Sequence, residues 1–183
     1  MLQKGFFMRK FLGLEKLTVR KLCTLGMLTA LTVILAIYCT FRVGNAIKIP
    51  FKFVTVFVTA VIFGPIWGGV VGALGDILNA LIVPVGPIIP QITAVEFLYG
   101  FIFGLFFYKK KNYYINTVIC AVVLSLVDIF VVSYILTSVG YFPGYIAAIS
   151  IRLIASVVKL SMYILVCVIL KKHLGTFERM INR

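Results

Sequence analysis

Only five acidic residues occur in this 183-residue chain, and three of them, Asp76, Glu96 and Asp128, stand in stretches otherwise apolar enough for lipid. A charge at the middle of a membrane helix costs about 2.5–3.5 kcal/mol, so each carboxylate requires a cation or a wet cavity. Arg152 and Lys159, in the last apolar run, are the cations at hand. At ~1.5 Å per helical residue, Asp76 lies about 9 Å from the outer end of its segment, Glu96 about 8 Å, Arg152 about 12 Å and Asp128 about 15 Å. Four ionisable groups at similar levels make either an ion-pair network that fixes helix register or a polar site open to one face. Phe41, Phe53, Tyr99, Tyr141, Phe142 and Tyr145 fall near the same rim. Aromatic faces beside carboxylates and an arginine suit a flat heterocycle with hydrogen-bonding edges and a negative tail. Each aromatic taken singly also fits a membrane-interface anchor.

Other chemistries lack their residues. The chain has no GxxxxGK[ST] phosphate loop, no HExxH and no GxSxG, so it carries no sequence basis for ATP hydrolysis or for these hydrolase classes. The sole histidine, His173, follows Lys171 and Lys172, and one histidine does not build a metal centre. Cys23, Cys39, Cys120 and Cys167 are scattered through apolar runs and read as small packing residues. No cofactor, metal or catalytic residue is expected, and the chain is not expected to be an enzyme. A lipid-modifying membrane enzyme, which would need several carboxylates at helical spacing around a metal, and a purely structural membrane subunit are the rival readings.

The elements that must position these groups are membrane helices. With 62% hydrophobic residues, the chain has more apolar surface than a soluble core of its size hides. The formal charge of +13 arises from Lys and Arg at the ends of apolar runs, where topology signals belong, so no nucleic-acid partner is expected and the bilayer is the partner. Spans of about 17–25 residues fall near 22–41, 49–63, 66–83, 91–108, 114–137 and 145–170. A basic segment, 1–21, precedes them and a basic tail, 171–183, follows. Leu22–Phe41 is span-length and lacks a cleavage site, so it reads as the first permanent span rather than a signal peptide. The basic N-terminal segment, "KKK" at 109–111 and the basic tail then lie on the cytoplasmic side, both termini inside. The expectation is an all-α integral membrane protein of six helices.

Span 49–63 is the weak one, being shorter than a ~30 Å hydrocarbon core at ~1.5 Å per residue. Arg42, Lys48 and Lys52 oppose the positive-inside bias from the first outer loop. They either snorkel to the interface or form a cationic collar at the mouth of an anion site. Gly64, Gly68, Gly72 and Gly75 share one helix face, Gly100 and Gly104 form a GxxxG, and Gly26 pairs with Ala30. Such rows allow close helix packing, either inside the bundle or against another subunit.

The stretch "FGPIWGGVVGALGDILNALIVPVGPIIP", Phe63 to Pro90, carries a family resemblance, with weaker support from "YGFIFGLFFYKKK" and "IRLIASVVK". Over roughly residues 17–170 the chain resembles the substrate-binding (S) components of energy-coupling factor transporters, most closely their folate-specific branch. The resemblance implies a six-helix vitamin-binding bundle in a prokaryotic plasma membrane, with an outward cavity gated by outer loops. It implies a transmembrane coupling protein of the EcfT type and two ATPase subunits as partners, and folate or a related vitamin as ligand. Thiamine, pantothenate and niacin are the alternatives within the same family. The ligand-binding set it implies joins Asp76, Asn79, Glu96, Tyr99, Asp128 and Arg152 of the spans to Arg42, Lys48 and Phe53 of the first outer loop. Pro84, Gly86 and Pro87 would form a stiff cover. The family's small-residue docking motif on span one is present here only as Gly26-x-x-x-Ala30, with Ala36 off register.

Overall fold

The computed structural model describes residues 18–43, 47–84, 89–108, 113–140 and 144–181. Helix α1 is Val19–Tyr38, α2 is Phe53–Phe63, α3 is Pro65–Ile82, α4 is Pro90–Phe107 and α5 is Tyr113–Val127. A π-helical turn, Asp128–Val132, joins α5 to α6, Ser133–Ser138, and α7 runs Tyr145–Ile181. Between α1 and α2 lies an antiparallel hairpin of β1, Thr40–Val43, and β2, Ile47–Pro50. The chain is an all-α membrane bundle with this one extended element added.

Val19–Tyr38, Pro65–Ile82, Pro90–Phe107 and Tyr113–Ser138 are long and apolar enough to cross a bilayer, and Phe53–Phe63 is apolar but shorter. Their outward faces are apolar as well, with Leu31, Ile34, Leu78, Leu81 and Ile119 all exposed. A helix that is apolar all round requires lipid or protein on every side.

The pairs α2–α3, α3–α4 and α4–α5 run antiparallel, as their contacts show. Along α3 and α4, Pro65 lies against Gly104, Gly68 against Gly100, and Gly72 against Glu96. Lys52 reaches Asp76 while Ala60 meets Gly68, which reverses α2 against α3. Tyr99 reaches Asp128 while Asn116 donates to the Phe106 carbonyl, which reverses α4 against α5.

The glycine rows are spent inside the bundle. A Cβ on Gly100 would run into the Gly68 backbone, and one on Gly104 into Pro65, so α3 and α4 touch main chain to main chain. In lipid, where the hydrophobic effect does not drive helices together, such close approach supplies the attraction. Gly100→Ala is therefore expected to destabilise the bundle by about 3 kcal/mol, the upper end for overpacking, read as a lower melting temperature in detergent. Beside this seam Phe57, fully buried, meets Phe103 and Phe107 edge-to-face at 5.4 and 4.9 Å. Leu124 and Cys120 of α5 complete that cluster.

Gly64 alone separates α2 from α3, at φ 103 and ψ 176. That backbone region is open essentially only to glycine. Pro65 then starts α3, where its missing N–H is harmless.

The segment expected as one helix over 49–63 departs from that expectation. Ile47–Pro50 is extended and helix begins only at Phe53, while α1 stops at Tyr38 rather than reaching residue 41. Pro50 donates no N–H and disfavours helix in the residue before it. Thr40, Phe41, Val43, Ile47 and Ile49 are β-branched or aromatic residues that fit a pleated ribbon. The short α2 is thus preceded by a hairpin where a longer helix was expected.

Candidate functional site

The hairpin delivers Lys52 to α3 and α4. The Phe51 N–H donates to the Cys39 carbonyl at 3.1 Å, which closes the hairpin base on the end of α1. The Thr55 hydroxyl donates to the Lys52 carbonyl at 2.8 Å and lies 2.8 Å from the Thr32 hydroxyl of α1, fixing the first turn of α2. From that anchor the Lys52 ammonium donates to Asp76 Oδ1 at 3.1 Å and pairs with Glu96 Oε1 at 3.0 Å. Thr93, one turn before Glu96 on α4, donates its hydroxyl to Asp76 Oδ2 at 3.0 Å.

Neither expectation for Lys52 survives this geometry. It neither snorkels nor collars a mouth, because its side chain is 8% exposed and shared between two carboxylates. It is a counter-ion inside the bundle that a reading of spans and loops assigned to the rim. Phe51 and Phe53 on either side were the one local hint, an apolar setting unusual for a solvated lysine.

A second centre forms where α4, α5 and α7 meet. Arg152 Nη1 donates to Asp128 Oδ1 at 2.9 Å, and Lys159 Nζ donates to Oδ2 at 2.6 Å. Tyr99 donates its hydroxyl to Oδ1 at 3.2 Å. Arg152 and Lys159 are spaced i, i+7 and so share a face of α7. Asp128 opens the π turn, a wider helical turn often found at functional sites. Arg152 Nε and the Ser133 hydroxyl, also on this stretch, are buried with no hydrogen-bond partner among the described residues.

The two centres carry opposite excesses. Lys52 stands against Asp76 and Glu96, whereas Asp128 stands against Arg152 and Lys159. The two centres adjoin along α4, which gives Glu96 to the first and Tyr99 to the second. At low dielectric such pairs hold helices firmly only when every charge is matched.

Other expected residues fall as follows. Phe53 packs edge-to-face on Tyr163 at 4.7 Å, placing the start of α2 against α7. Asn79 lies half-buried one turn beyond Asp76 on α3. Arg42 and Lys48 are partners in the hairpin register, and their side chains lie outside the described residues. Pro84 is exposed, while Gly86 and Pro87 lie outside the described residues, as do Tyr141 and Phe142. Gly26 and Ala30 are exposed on α1, and a Cβ on Gly26 would meet nothing within 4 Å. Thr93 and Ser133 are additions that the sequence did not single out as site residues, whereas Lys52, expected at the mouth of an anion site, is a buried counter-ion.

Fold and centre together define a polytopic membrane protein with a buried polar hub toward the hairpin end. The chain belongs to the ECF transporter, substrate-specific component family, whose model matches residues 20–176. It is similar to the folate transporter FolT of Clostridium novyi (strain NT), with 42% identity over 65 residues, 36% of this chain and 38% of that one. The FolT of Leuconostoc mesenteroides subsp. mesenteroides is 27% identical over 150 residues, 78% of this chain and 80% of the relative. That of Streptococcus mutans serotype c is 28% identical over 132 residues, 69% and 71% respectively. Among solved structures, the crystal structure of FolT bound with folic acid superposes with a TM-score of 0.76 at 25% identity, covering 84% of this chain and 93% of that one.

Proposed function

We propose that this chain is the folate-capturing subunit of an energy-coupling factor importer in a prokaryotic plasma membrane. Six spans with both termini inside would place the hairpin end outward. Folate would enter there, and ATP-driven release inside would require a transmembrane coupling protein and two ATPase subunits. The observation that carries this reading is the paired ionic hub of Lys52, Asp76, Glu96, Asp128, Arg152 and Lys159. It stands in a fold that superposes on folic acid-bound FolT over most of both chains.

Buried carboxylates and an arginine, with Tyr99 and Phe53 beside them, offer acceptors for a pterin edge, donors for carboxylates and aromatic faces for the rings. The exposed Gly26–Ala30 face of α1 is the surface offered to the coupling protein. No catalytic role is proposed.

Titration of the purified chain with folate, thiamine, pantothenate and niacin tests the ligand. Folate is expected to bind at least about 100-fold more tightly than the others, a difference of about 2.7 kcal/mol. Tight binding of another vitamin with folate ignored would replace the assignment.

A further inference from the structure

We propose that Glu96 and Arg152 are the two poles that orient the bound ligand, Glu96 taking the donor edge of its ring and Arg152 a carboxylate of its tail. This assignment rests on the folate reading and divides labour among the ionisable groups. Asp76 has both oxygens engaged, Oδ1 by Lys52 and Oδ2 by Thr93. Asp128 is likewise filled, by Arg152 and Tyr99 on Oδ1 and by Lys159 on Oδ2. These two carboxylates are positioning residues, each oxygen already held by a donor of the protein.

Glu96 differs. Lys52 engages Oε1, the one Glu96 oxygen with an ion pair to the described residues, which leaves Oε2 as the second acceptor. An acceptor oxygen beside an ammonium-fixed partner suits the amino and ring N–H donors of a pterin. Arg152 is the complementary case. Its Nη1 is held by Asp128, while Nε is buried without a partner. Nε is therefore an unsatisfied donor, and a ligand carboxylate closing on that side would give it the parallel, two-bond grip that arginine makes. The fully buried, unpartnered Ser133 hydroxyl adds a donor on the neighbouring turn. Lys52 is excluded as the tail's partner because Asp76 and Glu96 already share it.

The test pairs the full chain with two ligands of equal size, folate and folate with both tail carboxylates converted to amides. Wild type is expected to prefer folate by at least tenfold. Arg152→Gln is expected to abolish that preference, whereas Glu96→Gln weakens both ligands and keeps it. Melting temperature and gel filtration of the ligand-free variants verify folding. Should Arg152→Gln fail to fold, Arg152→Lys keeps the charge, loses the fork and is expected to shrink the preference. Equal binding of both ligands by wild type, or an unchanged preference in either Arg152 variant, would overturn the assignment while leaving folate binding intact. Wild type binding neither ligand would remove the folate reading itself, and this proposal with it.

Discussion

Lys52→Met is expected to destabilise the bundle by about 3–5 kcal/mol, the penalty for breaking a buried ion pair from one side. Methionine keeps the length of the lysine stem, so the loss reports charge rather than packing. Without the ammonium, Asp76 and Glu96 face each other across the α3–α4 seam with Thr93 as their remaining side-chain hydrogen-bond donor among the described residues. At roughly 2–4 °C per kcal/mol for a chain of this size, the melting temperature in detergent should fall by roughly 10 °C. Adding Asp76→Asn should recover part of that loss, because it removes one of the two unmatched charges. Lys52→Arg should lose least of the three. If Lys52→Met melts with the wild type, the ammonium is not the shared counter-ion.

Asp128→Asn is expected to be of similar severity, about 3–5 kcal/mol by the same one-sided penalty. Asp128 is the only carboxylate bonded to Arg152 and to Lys159 among the described residues. Asparagine still offers Tyr99 and Arg152 an acceptor oxygen, but it balances neither cation. Folded yield after detergent extraction should drop sharply, and Asp128→Asn with Lys159→Met should restore some of it. Asp76→Asn alone should be milder, because Glu96 remains on Lys52. Equal folded yields for Asp76→Asn and Asp128→Asn would show that Asp128 is not the hub of the second centre.

The contrast between these carboxylates marks what the sequence disclosed. Asp76, Glu96, Asp128 and Arg152 stood out because an ionisable group in an apolar run needs compensation. Their pairing was not legible, since Lys52 and Asp76 are 24 residues apart and Asp128 and Lys159 are 31 apart. Lys52 was misplaced for a definite reason: a lysine at the edge of an apolar run looks the same whether the chain beyond it turns outward or dips. The hairpin that makes it dip is hidden because β1 and β2 are only four residues each and share their β-branched and aromatic residues with the helices they join. The close α3–α4 seam was foreshadowed by its glycines, but which helix each row faced became visible only once Gly68 met Gly100. The π turn at Asp128 left no mark at all, because "DIFVV" fits an ordinary helix.

The hub's charges sum to zero when Lys52, Arg152 and Lys159 are protonated and Asp76, Glu96 and Asp128 ionised. Moving one elementary charge across a membrane potential involves about 2.3 kcal/mol per 100 mV. A displacement of these six groups together along the membrane normal therefore does no net electrical work through their charges. The voltage of the cell then acts on the chain through its basic residues outside the hub, such as Arg42 and Lys48.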